Sequence, residues 1–247
     1  MQPQGSENLN PLWPIRPGEG EAIATTGTRP LPVGPIDGQA ARIFHSGLPV
    51  VPAMPGSLVR LELMLREPAP DLHALSDLIR SDLGLTIQTL RLVGADFNRF
   101  IDTPCRIQDC IVHLGHSSLL LATPALKQSS LWGDRAALTE LWKHSRLVAF
   151  WTEQIARSVR GVDTERAYLA GLLHDIGSLP VLLGWRLPGM DGRDRVEVGC
   201  ALAEAWQLPY FVTQSIRYRE NQGEGRPALA RLVAAAHQRS AEGDSLP

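Results

Sequence analysis

A chain of 247 residues with 44% hydrophobic side chains is long enough to bury a sizeable core without staples. Its 24 basic and 26 acidic side chains nearly cancel, which removes the long-range positive field that collects nucleic acid or anionic lipid, so neither is an expected partner. Cys105, Cys110 and Cys200 form an odd set without a CxxC pair, which speaks against a disulfide framework or a thiolate metal knuckle and for a reducing cytoplasm. The N-terminus carries no basic stretch leading into an apolar one, and no apolar run reaches membrane-spanning length, so export and insertion are not expected.

Residues 1–46 hold 7 prolines and 6 glycines, a composition that predicts a disordered leader. From Leu48 onward the apolar spacing is helical, with almost none of the strict alternation of a half-buried strand. Leu58, Leu61 and Leu65 share one face after Ser57, a candidate N-cap, and Pro68 and Pro70 close that helix. Asp71 opens the next, with Leu72, Leu75 and Ile79 as its buried stripe, and Ser81 or Asp82 caps a third with Leu83, Ile87 and Leu90 inside. After Pro104, the spacing of Ile107, Ile111 and Leu114 predicts another helix that Gly115 interrupts before Ser117 to Lys127 resume. Asp134 then opens the longest helix, a spine carrying Leu138, Leu141, Trp142, Val148, Trp151 and Ile155. Thr164 and Glu165 begin a helix through Ala170 and Leu173 that Gly177 terminates as a left-handed cap. Later helices are predicted over 195–206, 209–219 and 227–239.

The stretch Ala170-Gly171-Leu172-Leu173-His174-Asp175-Ile176-Gly177, with His144 thirty residues upstream, carries the chemistry. Adjacent His and Asp at the end of an apolar helix can turn toward one metal, and a histidine from a neighbouring helix closes a third side. Such a site would polarise a phosphoryl oxygen and activate water. His144 lies three residues after Leu141 and four before Val148, so it points inward. The competing reading is structural: His174 and Asp175 hydrogen-bond each other and the backbone, and His144 is a satisfied core histidine.

These residues, with Leu48-Pro49 through Pro55, Ser81-Asp82, Leu90-Arg91-Leu92, Leu141-Trp142-Lys143-His144-Ser145, Val196-Glu197-Val198-Gly199, Trp206-Gln207-Leu208-Pro209 and Ile216-Arg217-Tyr218, occur in an order that resembles the HDOD domains, relatives of the HD metal-dependent phosphohydrolases. The resemblance runs from about Leu48 to Arg239. It implies an all-α, two-lobed helical bundle and bacterial signal transduction. Three positions depart from the family pattern: Arg195 stands where a histidine is common, Arg219-Glu220 where many read His-His, and His237 where an aspartate ligand is expected. Arginine is a permanent cation and only donates, so Arg195 and Arg219 cannot ligate an ion and repel one they face, which excludes a binuclear site. What remains is a vestigial or single-ion set of His144, His174, Asp175 and His237.

The expected organisation is a leader (1–46), an HDOD domain (47–241) with an N-terminal helical lobe (47–130) and a C-terminal HD-like lobe (134–241), and a tail (242–247). The expected function is a non-catalytic regulatory interaction module with no catalytic residue and no required cofactor, working with other signalling proteins. The alternative is a mononuclear metal-dependent phosphohydrolase acting on a nucleotide or cyclic dinucleotide. Trp13, Trp132 and Trp185 lie in leader or connector positions where partner contact is expected.

Overall fold

The computed structural model describes residues 49–94, 106–129, 135–187, 190, 192–219 and 225–242. The predicted leader, Trp13, Trp132, Asp134, Glu220 and nearly all of the tail lie outside the described residues.

Helix α1 (Pro55–Leu65) starts two residues before the expected cap. Pro55 occupies its first turn, where a fixed φ is preorganised and a missing N–H costs nothing, and Met54 is the N-cap. Ser57 is therefore inside the helix, its hydroxyl bonded to Asp82 rather than to the helix's own amides. Helix α2 (Leu72–Arg80) is capped as expected by Asp71, whose carboxylate accepts from the His73 and Ala74 amides at 2.9 and 3.2 Å. Asp82 caps α3 (Leu83–Gly94), accepting from the Leu85 amide at 3.1 Å. Every residue of α3 is buried, the polar Thr86, Gln88, Thr89 and Arg91 included.

Helix α4 (Ile107–Ser129) breaks at Gly115, which takes φ 72° and ψ 152°, the interruption that the glycine predicts. The spine is α5 (Arg135–Ala156). Helix α6 (Thr164–Leu172) begins at Thr164 as expected, and Asp163 caps it through a 2.8 Å bond from the Arg166 amide.

Gly177 does not cap α6, whose last residue is Leu172. It lies in a 3₁₀ turn (Ile176–Ser178) and is not among the positive-φ glycines. A Cβ there would sit 1.9 Å from the Arg195 carbonyl oxygen, so close backbone approach, not a left-handed turn, is what requires glycine. The short α7 (Leu179–Leu183) follows, then α8 (Arg195–Ala205) with an Asp194/Glu197 capping box, α9 (Tyr210–Arg217) and α10 (Ala228–Ala241).

Helices α1 to α4 pack among themselves, and α5 to α10 do likewise, with α5 against both α6 and α10. This is the two-lobed, all-α architecture the sequence implies. One apolar core runs across both lobes, from Val51 and Leu90 to Leu169, Trp206 and Ile216. Among the described residues no helix is long and apolar enough to cross a membrane, and Cys110 and Cys200 are buried and not joined in a disulfide.

Candidate functional site

Two helices and the turn that follows a third supply the histidines, and one small apolar cluster lies beside them. Val148 of α5, Ala170 of α6 and Val233 of α10 meet in that cluster. Each lies four residues from a histidine, Val148 after His144, Ala170 before His174 and Val233 before His237, so α5 and α10 carry their imidazoles on the face that already packs inward, while His174 lies in the turn two residues past the end of α6. Burying the cluster therefore brings the rings together. Their ligand-capable nitrogens all lie within 4.8 Å of one another. The ring centroids are 5.0 to 5.3 Å apart, and the planes are inclined at 58° to 86°, so the rings approach from three directions instead of stacking.

His174 is fully buried at 2% exposure, while His144 and His237 are half-buried. His174 Nδ1 lies 2.7 Å from the Gly171 carbonyl oxygen. A carbonyl only accepts, so Nδ1 carries the proton, and in the neutral ring Nε2 presents a lone pair. That nitrogen faces His144 Nε2 at 3.3 Å. Either His144 donates across this gap or both lone pairs converge on a shared cation. The N–H to carbonyl bond is the support that metal-ligating histidines ordinarily have.

Gly171 holds that carbonyl in place by close packing. A Cβ on it would meet Thr152 Oγ1 at 2.6 Å and the Ala149 Cα at 2.7 Å, so only glycine lets α6 approach α5 this closely. Sequence reasoning does not single out Gly171 for this role, although its position three residues before His174 is the signal.

Asp175 does not join the three-histidine group. Its Oδ1 lies 3.9 Å from Arg219 Nη1, which also donates to the His174 carbonyl at 3.4 Å. Arg226 in turn donates to the Arg219 carbonyl, and to that of Ala230 at 3.2 Å. Arg219 is thus a fixed cation at the edge of the cluster, whereas Arg195 is exposed and contributes only its backbone, against Gly177. The two arginine departures from the family pattern have different consequences.

Burial holds the His174 imidazole well below its usual range, with Arg219 and then His144 adding to the depression. His144 is lowered by burial first and by His237 second, with Asp175 pulling the other way. Both rings are therefore neutral at neutral pH, the state in which imidazole ligates a metal. The three-histidine set fits a single ion: His144, His174 and His237 would hold it, and it would supply Lewis-acid polarisation of a bound oxygen.

Trp185, the described member of the expected partner-contact set, is half-buried and packs edge-to-face on Trp206, ring centroids 6.3 Å apart. Arg91, 3% exposed, sits over the Trp206 ring, 5.5 Å from its centroid, and donates to the Pro49 carbonyl at 3.0 Å.

Comparison with known proteins places these features in context. The HDOD domain model matches residues 51–185, and the HD domain model matches residues 141–242. The chain is similar in structure to a fragment of the MmoQ response regulator from Methylococcus capsulatus, with 21% identity over 76% of this chain and 83% of that one and a TM-score of 0.60. A second structure of that regulator gives 18% identity over 77% and 86%, with a TM-score of 0.62. A virulence factor from Campylobacter jejuni matches at 15% identity over 84% of each chain, with a TM-score of 0.53. At these identities the likeness is one of fold. No curated protein matches the chain.

Proposed function

The chain belongs to the HDOD domain family, and from that premise we propose that it acts as a non-catalytic, cytoplasmic regulatory module that engages other signalling proteins. The observation that carries this reading is Arg219. Its guanidinium lies 3.9 Å from Asp175 and also donates to the His174 carbonyl, so the carboxylate beside the histidines is engaged by a permanent cation instead of bridging two ions. No carboxylate joins the three-histidine group among the described residues. A binuclear phosphohydrolase needs carboxylate oxygens to bridge and neutralise its ions. Arg195, the other arginine at a ligand position of the family, is exposed and offers no replacement ligand.

The test compares the native full chain with His174→Ala and Asp175→Ala, each checked by circular dichroism, in assays of a nitrophenyl phosphodiester, nucleoside monophosphates and cyclic dinucleotides with added divalent ions. The expected result is no turnover in the native chain above either variant, with His174→Ala destabilised by about 1–3 kcal/mol through the loss of its buried hydrogen bond to the Gly171 carbonyl, and Asp175→Ala by less, through the loss of its ion pair with Arg219. Turnover in the native chain that disappears in folded variants would establish the alternative, a mononuclear phosphohydrolase.

A further inference from the structure

We propose that His144, His174 and His237 form an all-nitrogen site for one borderline divalent ion of the zinc class, selected over magnesium and manganese. Ligand chemistry comes first. Magnesium and manganese are bound by carboxylate, carbonyl and water oxygens, whereas imidazole suits zinc and its neighbours. Here three imidazoles form the group, and His237 stands where a hard oxygen ligand is expected from the resemblance. The adjacent carboxylate, Asp175, faces Arg219.

Geometry is the second support. Two nitrogens bound at about 2.0–2.1 Å to a tetrahedral ion lie roughly 3.3–3.4 Å apart. His144 Nε2 and His174 Nε2 are 3.3 Å apart, so this pair already has the spacing, and a ligand nitrogen of His237 lies within 4.8 Å of both their ligand atoms. The mutual inclinations of 58°, 86° and 69° show that the three rings do not stack on one another. The Gly171 carbonyl fixes the proton of His174 on Nδ1 and so commits Nε2 to the centre.

Arg219 sets the stoichiometry. Its guanidinium, at the edge of the cluster and against Asp175, occupies with positive charge the side from which a second ion would have to be held. One ion is accommodated and two are not.

The experiment uses the full chain stripped with chelator, then titrated with zinc, cobalt(II), manganese(II) or magnesium in competition with a chromophoric chelator. Expected are one equivalent of zinc, bound at least about a hundredfold more tightly than manganese, and intense visible absorption from the cobalt form, which marks four-coordination. His237→Ala, at a half-buried position, lowers zinc affinity about a hundredfold or more with an unchanged circular dichroism spectrum. His237→Asp narrows the preference of zinc over manganese at least about tenfold by restoring a hard oxygen. Should His237→Ala unfold, His144→Gln gives the same comparison. Two bound equivalents, manganese binding as tightly as zinc, no zinc binding, or full zinc affinity in a folded histidine variant each overturn the proposal. Phosphoester turnover by the loaded protein would refute the regulatory reading and leave this one standing, while absence of zinc binding would do the reverse.

Discussion

His174 couples the site to pH through stability. In the folded chain burial, Arg219 and His144 hold its imidazole well below the ordinary 6.5, and the unfolded chain regains that ordinary value. Above pH 6.5 neither state takes the proton, and the folded state keeps its full stability. Below it the unfolded state binds a proton that the folded state refuses, so stability falls as pH drops, by up to about 1.4 kcal/mol per unit until the folded value is reached. His144 shifts in the same direction but is half open to solvent, so its contribution is smaller. Urea midpoints of the metal-free protein at pH 7.5, 6.5 and 5.5 are expected to be flat over the first step and to fall over the second, and His174→Gln is expected to flatten that fall; an unchanged midpoint at pH 5.5 would refute the assignment. Asp82 is the other residue on which much rests. One oxygen accepts from the Met54 amide at 2.8 Å, and the other from the Leu85 amide at 3.1 Å and Trp142 Nε1 at 3.4 Å. Burial drives its carboxyl above the usual range, so its value lies in the donors it satisfies and not in its charge. Asp82→Ala orphans them and is expected to cost about 2–4 kcal/mol in denaturant unfolding, with Asp82→Asn, which keeps one of the two acceptor oxygens, in between. Equal stability of the three proteins would show that the donors find other partners.

Helices here approach one another at glycines. At Gly177 a Cβ would meet the Arg195 carbonyl oxygen at 1.9 Å, and at Gly171 it would meet the Ala149 Cα at 2.7 Å; both neighbours are backbone and cannot swing aside. Gly177→Ala and Gly171→Ala are each expected to destabilise by about 2–4 kcal/mol, whereas Gly56→Ala in α1, with nothing within 4 Å of the added carbon, is expected to be neutral or to stabilise by a few tenths to about 1 kcal/mol. Thermal melting of the three variants checks the order, and a Gly171→Ala protein as stable as the native one would show that α5 and α6 are not held at this distance. The same elements show what the sequence discloses. Asp71, the α4 break at Gly115 and the inward face of His144 are legible because each follows from residues within one or two turns. Met54 takes the α1 cap from Ser57 because Pro55 determines the start and Ser57 is drawn to Asp82, twenty-five residues on. Gly177 reads as a cap in one dimension, but its constraint is the Arg195 carbonyl, which only the fold supplies. For the site, the four-residue spacing of Val148, Ala170 and Val233 from the histidines is visible in the sequence, while the orientation of Asp175 depends on Arg219, forty-four residues away. The short α7 has no polar face to set its period and escapes pattern reading altogether.

The two lobes are joined by a shared apolar core and by a clamp at the end of α2. Arg80 Nη2 lies 3.5 Å from Glu153 of α5 and 3.3 Å from Glu165 of α6, its guanidinium sits 4.2 Å from the centre of the Tyr168 ring, and the Tyr168 hydroxyl donates to the Arg80 carbonyl at 2.9 Å. Both carboxylates are mostly buried, at 18% and 16% exposure, so removing the cation leaves two like charges in poor solvent, with Glu153 still 3.8 Å from the more exposed Arg157. Burial already raises the Glu165 carboxyl, and Arg80 is what opposes this. Arg80→Ala is therefore expected to cost about 2–3 kcal/mol, less than a fully buried pair because some solvent reaches all three groups. The form of the loss distinguishes one cooperative body from two. Because the core runs unbroken from Leu90 in one lobe to Leu169 and Trp206 in the other, loss of the clamp lowers the stability of the whole without uncoupling its halves. Unfolding of Arg80→Ala followed by far-ultraviolet circular dichroism and by tryptophan fluorescence is expected to give one coincident transition at lower denaturant. Since Trp142, Trp151, Trp185 and Trp206 all belong to the second lobe, a fluorescence transition displaced from the dichroism transition would show that the lobes fold separately and that the clamp, not the core, unites them.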